Sequence, residues 1–105
     1  MKNKKKAILD GYRVIDASRI LVGSISSLML AEMGAEVIKI EQREKGDDTR
    51  HWGPPFILSK DDPTIKDSTY YMCLNRNKQS ITLDMKKQEG KEILNDLAKN
   101  SDIFI

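Results

Sequence analysis

Thiols and imidazoles are nearly missing from this sequence: Cys73 is its one cysteine and His51 its one histidine. A single thiol closes no internal disulfide and points to a reducing compartment, the cytoplasm or the mitochondrial matrix. With so few soft ligands there is no zinc-type cluster. Nucleophilic catalysis finds no G-x-S-x-G elbow and no serine–histidine pairing. Long apolar runs are lacking too. Nothing approaches a membrane span, and no apolar signal core follows the N-terminal lysines. Charge of one sign is also lacking: 18 Lys+Arg against 16 Asp+Glu leaves +2. That balance gives no support for nucleic-acid binding. No repeat appears. At 39% hydrophobic and 32% charged, the composition is far from that of a disordered chain. The 105 residues suffice for one small domain or part of a larger one.

What is present alternates between strand and helix patterns. Residues 1–10 read as a basic tail, with Lys2, Lys4, Lys5 and Lys6 solvated and frayed. Tyr12 to Asp16 reads as a buried strand entered from Gly11. A helix is expected from about Ser24, its N-cap, to Met33, with Ile25, Leu28, Met29 and Met33 as the core-facing side. Gly34 suits the left-handed position after a helix. Val37, Ile38 and Ile40, interrupted only by Lys39, read as a strand buried on both faces of a parallel sheet. Strand, helix and strand in about thirty residues make a βαβ unit. From Gln42 to about Ser68 the chain is polar and holds all three prolines. A connection that long argues for a functional loop. Thr69 to Leu74 reads as one or two helical turns or an irregular apolar segment, and Asn75 to Lys78 as a turn. A third strand is expected over Ser80–Asp84, a helix over Gln88–Lys99, and a fourth strand over Asp102–Ile105. The fold class is therefore α/β with a Rossmann-like parallel sheet. A sheet ending on an uncovered apolar strand reads as the N-terminal part of a longer protein.

Several groups could carry chemistry. Glu41 ends the second strand 18 positions after Gly23, near the spacing of a ribose-binding acid, but G-x-G-x-x-G is missing. An ordinary βαβ turn is the simpler reading. Asp47-Asp48 could bind magnesium, though adjacent acids after a glycine more often shape a turn. Arg76, Lys78, Lys86 and Lys87 sit where phosphates are met, with a solvated surface as the default. Cys73, among Tyr70, Tyr71, Met72 and Leu74, reads as a buried structural thiol. Trp52 and Phe56 read as local core for the long loop.

Five segments, in order, resemble the N-terminus of the class III CoA-transferases, the CaiB/BaiF family: Gly11 to Asp16 (GYRVID), Leu30 to Glu41 (LAEMGAEVIKIE), Gly46 to Arg50 (GDDTR), Trp52 to Phe56 (WGPPF) and Leu74 to Ile81 (LNRNKQSI). The resemblance spans almost all of residues 11–105, and order and spacing together make it specific. The D-D-T-R-x-W-G-P-P-F form is most similar to members that move CoA between dicarboxylic acids, such as the succinyl-CoA:glutarate type.

The resemblance implies a Rossmann-like large domain, of which residues 11–105 form the N-terminal part, and an interlocked homodimer. It implies transfer of coenzyme A between an acyl-CoA and a carboxylic acid through an aspartyl intermediate, without a metal or redox cofactor. Such covalent catalysis divides one acyl transfer into easier steps. The catalytic aspartate of the family lies beyond Ile105, so the chain alone is expected to be inactive. By position, Leu21 and Val22, Gln42 and its neighbour Arg43, and Leu83, Asp84, Met85 and Lys86 match CoA-contacting positions. Position 42 is often Arg in the family; here Gln42 stands, and Arg43 points from the strand end in another direction. The family's Ala-Gly-Pro is Val22-Gly23-Ser24, and its capped helix start is Lys87-Gln88-Glu89-Gly90. The same fold also serves acyl-CoA racemases. A free-standing nucleotide-binding or interaction module is the non-catalytic alternative.

Overall fold

Four short strands carry the fold, and their order follows from two helical crossovers one way and one back. The computed structural model describes residues 6–105, so Lys2, Lys4 and Lys5 of the expected basic tail lie outside the described residues. Strand β1 is Arg13–Asp16, helix α1 is Val22–Glu32 and strand β2 is Glu36–Gln42. A single 3-10 turn at Asp48–His51 precedes a hairpin of β3 (Phe56–Leu58) and β4 (Lys66–Ser68). Helix α2 is Thr69–Asn75, β5 is Lys78–Leu83, α3 is Gln88–Lys99 and β6 is Ile103–Phe104.

The main sheet has the order β5-β2-β1-β6, and every pairing in it is parallel. Val14 lies beside Val37, and Asp16 beside Lys39. Helices α1 and α2 touch, and the right-handed rule for parallel crossovers places them on one face of the sheet and α3 on the other. The apolar core on the α1 side is Val14, Ala31, Ala35 and Val37, with Leu9, Leu30 and Ile105 packed against it. Leu9 is held there because its amide donates to the Met33 carbonyl at 2.9 Å, so the segment just before β1 is docked. Gly34 takes φ +101° where the chain leaves α1, and an added Cβ would collide with the Ala7 side chain.

Helix α1 corrects the expected core face. Ser24, Ser27 and Ala31 are its buried residues, whereas Val22, Ile25, Met29 and Met33 are exposed. The physical reason lies in the opposing sheet, which presents Asp16, Lys39 and Lys78 to this helix. Small hydroxyl side chains fit and satisfy those charges; large apolar ones would strip them of partners. Ser24 is not the N-cap either: Leu21 takes that position without a side-chain bond, and Ser24 sits inside the first turn. Met29→Ser should therefore change the unfolding free energy by less than about 0.5 kcal/mol, as for an ordinary surface position. Urea denaturation checks this, and a loss of core size would restore the first expectation.

The long loop holds more structure than its composition promises. The hairpin pairs Phe56 with Ser68 and Leu58 with Lys66. Gly53–Pro54 and Pro54–Pro55 are cis. Trp52 is 41% exposed and tilts against Tyr70, with ring centroids 5.2 Å apart. Phe56 is half-buried below Gly53, with Lys66 over its ring at 4.3 Å. Ser68 caps α2 by accepting the Tyr71 amide at 3.3 Å. Cys73 is exposed, against expectation: α2 turns Leu74 and Asn75 inward, which leaves the thiol on the outer side.

Candidate functional site

The carboxyl ends of β1, β2 and β5 converge on one cavity of about 540 Å³. Open α/β sheets bind ligands at that end because the loops there are free to diverge. Ala17, Ser18 and Arg19 line it after β1; Gln42 at the end of β2 with Arg43 and Glu44 beyond it; and Leu83 at the end of β5 with Asp84, Met85 and Lys86 beyond it. Ile40 adds an apolar patch deeper in.

The structure brings together Gln42, Arg43, Leu83, Asp84, Met85 and Lys86 from the positions singled out in the sequence. Leu21 borders a second cavity of about 410 Å³, beside Trp52, Pro54, Tyr70 and Cys73. Val22 lies on the outer side of α1, 78% exposed, and lines neither of these two cavities. The wall after β5 is tightly built. The Lys86 amide donates to Asp84 Oδ1 at 3.1 Å, and the Lys87 amide donates to the Asp84 carbonyl at 3.1 Å.

Beneath the cavity lies a layer of buried charge. Lys39 is fully buried, and its Nζ stands 3.2 Å from Asp47 Oδ2 and 3.3 Å from Ser24 Oγ. Lys78, expected on the surface, is buried because β5 begins two residues earlier than its apolar run suggests. Its Nζ donates to Asp16 Oδ2 at 3.3 Å, to the Ser24 carbonyl at 2.8 Å and to Asn75 Oδ1 at 3.0 Å. Asp16 also accepts the Ser18 amide at 2.9 Å and the hydroxyls of Ser18 and Ser27. Glu41 accepts a bidentate Arg50 at 2.7 and 3.1 Å, and the Ser80 hydroxyl at 2.7 Å. Arg50 donates on to the Tyr71 hydroxyl at 2.8 Å and lies 3.8 Å from the ring centre. Every buried side-chain nitrogen and oxygen among the described residues has a partner.

These partners set the ionisation of the layer. Burial alone would raise the Asp16 carboxyl. The Ser18 and Ser27 hydrogen bonds and the Lys39 charge outweigh it and hold the group below the usual carboxylate range. Burial is likewise overcome at Glu41 by Arg50 and Ser80, and at Asp47 by Thr49 and Lys39. Burial lowers Lys78 against the attraction of Asp16. The Tyr71 hydroxyl is pushed up to about 12 by burial and the Glu41 charge. The Asp47-Asp48 pair is thus divided: Asp47 faces inward to Lys39, and Asp48 pairs with Arg19 at 2.5 Å. Among the described residues no cluster of three or more His, Cys, Asp or Glu side chains is placed to hold a metal ion. Nor is any helix there long and apolar enough to cross a membrane.

Arg19 and Glu44 line the cavity without having been singled out in the sequence, where Asp47 was weighed only with Asp48 as a magnesium-binding or turn-shaping pair. The signal for the buried layer was Lys39, a lone cation in an apolar parallel strand, which requires a buried acid beside it.

A parallel α/β sheet with its cavity at the strand ends is a ligand-binding architecture. Residues 9–105 match the model of CoA-transferase family III, and the chain belongs to that family. It is 46% identical over 105 residues to the succinate–glutarate CoA-transferase of Agrobacterium fabrum, covering 100% of this chain and 26% of that protein. It is 42% identical over 97 residues to the human succinyl-CoA:glutarate CoA-transferase, covering 92% of this chain and 20% of that one. The solved structure of a CAIB/BAIF family protein from Brucella suis superimposes with a TM-score of 0.85 at 40% identity, covering 95% of this chain and 25% of that one. The chain thus spans about a fifth to a quarter of the length of these relatives.

Proposed function

We propose that the chain supplies part of the coenzyme A pocket of an enzyme that moves CoA between an acyl-CoA, of the succinyl-CoA class, and a dicarboxylic acid. The reacting aspartate belongs to sequence outside these 105 residues, and the parent enzyme is a homodimer. No metal or redox cofactor enters the reaction. The observation that carries this reading is the cavity formed by Gln42, Arg43 and Leu83 to Lys86, in a chain that matches the family over residues 9–105. Arg43 and Lys86 are exposed at its mouth and enter no ion pair among the described residues. Free cations there suit the phosphates of CoA. Ile40, Leu83 and Met85 offer apolar surface for the adenine ring.

Titration calorimetry with CoA tests the reading. Lys86→Ala should weaken binding about tenfold, the loss of one charge-assisted hydrogen bond. Equal affinity in both proteins would remove this cavity as the CoA site. Mixed with succinyl-CoA and glutarate, the 105-residue chain should give no transfer.

A further inference from the structure

We propose that Asp47 is the positioning residue of the strand-end cavity: its buried carboxylate, neutralised by Lys39, ties the loop after β1 to the turn after β2 and sets the spacing of the cavity's two backbone walls. The inference rests on the CoA reading of that cavity. Both segments line it, Ala17 to Arg19 on one side and Glu44, Gly46 and Asp47 on the other. Asp47 is 3% exposed. Its Oδ2 accepts the Ile20 amide at 3.2 Å, and its Oδ1 accepts the Thr49 amide at 2.9 Å and the Thr49 hydroxyl at 2.7 Å. Its own amide donates to Glu41 Oε1 at 3.2 Å, which anchors the clasp to β2. A second link between the segments, Arg19 with Asp48, is open to solvent and correspondingly weak.

Ile20 shows that the clasp bears a load. It sits at φ +63°, a region that a β-branched residue adopts only when its surroundings hold it there. The Asp47 bond to its amide is such a hold. With the bond gone, the loop relaxes towards ordinary backbone angles and Ser18 and Arg19 move with it.

Asp47→Asn tests this. A carboxylate has two acceptor oxygens and Asp47 uses both, whereas an amide has one. In the variant, the Ile20 or the Thr49 amide should exchange with solvent at least tenfold faster by NMR. The ladder amides of Ile15 and Ile38 should keep their rates, and CoA affinity should fall at least tenfold. The double variant Lys39→Met/Asp47→Asn keeps the charge balance and carries the same expectation if the single variant does not fold. Unchanged rates at both amides would overturn the proposal. So would an equal acceleration through the sheet, which makes Asp47 a residue of the whole fold, or faster exchange with unchanged CoA affinity. Failure of CoA to bind the unaltered chain overturns the CoA reading instead, and the exchange rates then decide the clasp alone.

Discussion

Asp16→Ala is expected to lower the unfolding free energy by about 4 kcal/mol, measured by urea denaturation at neutral pH. The size follows from what remains after the carboxylate is removed. Lys78 stays inside with its ammonium facing only the Ser24 carbonyl and Asn75 Oδ1. Lys39 lies close enough to Asp16 to influence its ionisation, and Asp47 alone would then balance both lysines. The Ser18 amide and the Ser27 hydroxyl lose an acceptor as well. Removing one partner of a buried pair costs far more than the pair contributes, because the survivor stays desolvated. The double variant Asp16→Ala/Lys78→Met should accordingly recover much of the loss. If the double variant is as unstable as the single one, unpaired charge is not the cause.

The same residue contributes to the acid limb. Asp16, Glu41 and Asp47 are held below the unfolded values of 3.8 for Asp and 4.5 for Glu. A carboxylate lowered in the folded state contributes stability that is complete above its unfolded value. That stability is lost as pH falls through the folded value. Stability should therefore decline as pH drops below about 4.5, and less steeply in Asp16→Ala, which has one such group fewer. Lys78 acts at the other end of the scale. Its folded value is lowered from 10.5, so the unfolded chain binds that proton more readily, and stability rises with pH in the window just below 10.5.

This buried layer also marks where sequence reading stopped. The βαβ unit was legible because Val14, Ile15, Val37, Ile38 and Ile40 form apolar runs separated by a helix-length segment. Helix α3 was legible to its bounds, Gln88–Lys99, because Ile93, Leu94 and Leu97 recur at helical spacing and Asn100 closes it. The inward side of α1 was not. Apolar residues at helical spacing imply a core face only when the opposing surface is apolar, and here it carries Asp16, Lys39 and Lys78. The hairpin escaped for another reason: Lys66, Asp67 and Ser68 show no alternation, and strands of three residues leave too short a pattern to read. Six of the positions matched to CoA contacts through the family resemblance do meet at one cavity, since strand ends in a parallel sheet share one edge. Leu21, at the N-cap of α1, and Val22, its first helical residue, lie beyond the turn of the chain at Ile20, which decides their direction and leaves no compositional trace.

Gly90→Ala is expected to cost about 3 kcal/mol and, on the proposed CoA reading of the cavity, to weaken CoA binding more than tenfold. Gly90 sits in the first turn of α3 and is the buried residue of that helix. A Cβ there would fall 2.7 Å from the Asp84 carbonyl carbon and closer still to its oxygen, with the Met85 nitrogen at 3.4 Å. All of these atoms are backbone, so no rotamer change clears the space. Either α3 lifts off the sheet or the segment Asp84 to Lys86 moves, and that segment is one wall of the cavity. The helix start has little in reserve to resist: Lys87 takes the N-cap position without a side-chain bond. The glycine is thus required by close approach rather than by an unusual backbone angle. Glu89→Ala and Lys91→Ala, on exposed neighbours in the same turn, should stay within about 0.5 kcal/mol of the parent and bind CoA as it does. Urea denaturation and calorimetry on the three variants separate the cases. A well-tolerated alanine at position 90 would mean that α3 and the wall after β5 move independently, and that the packing of this helix does not shape the cavity.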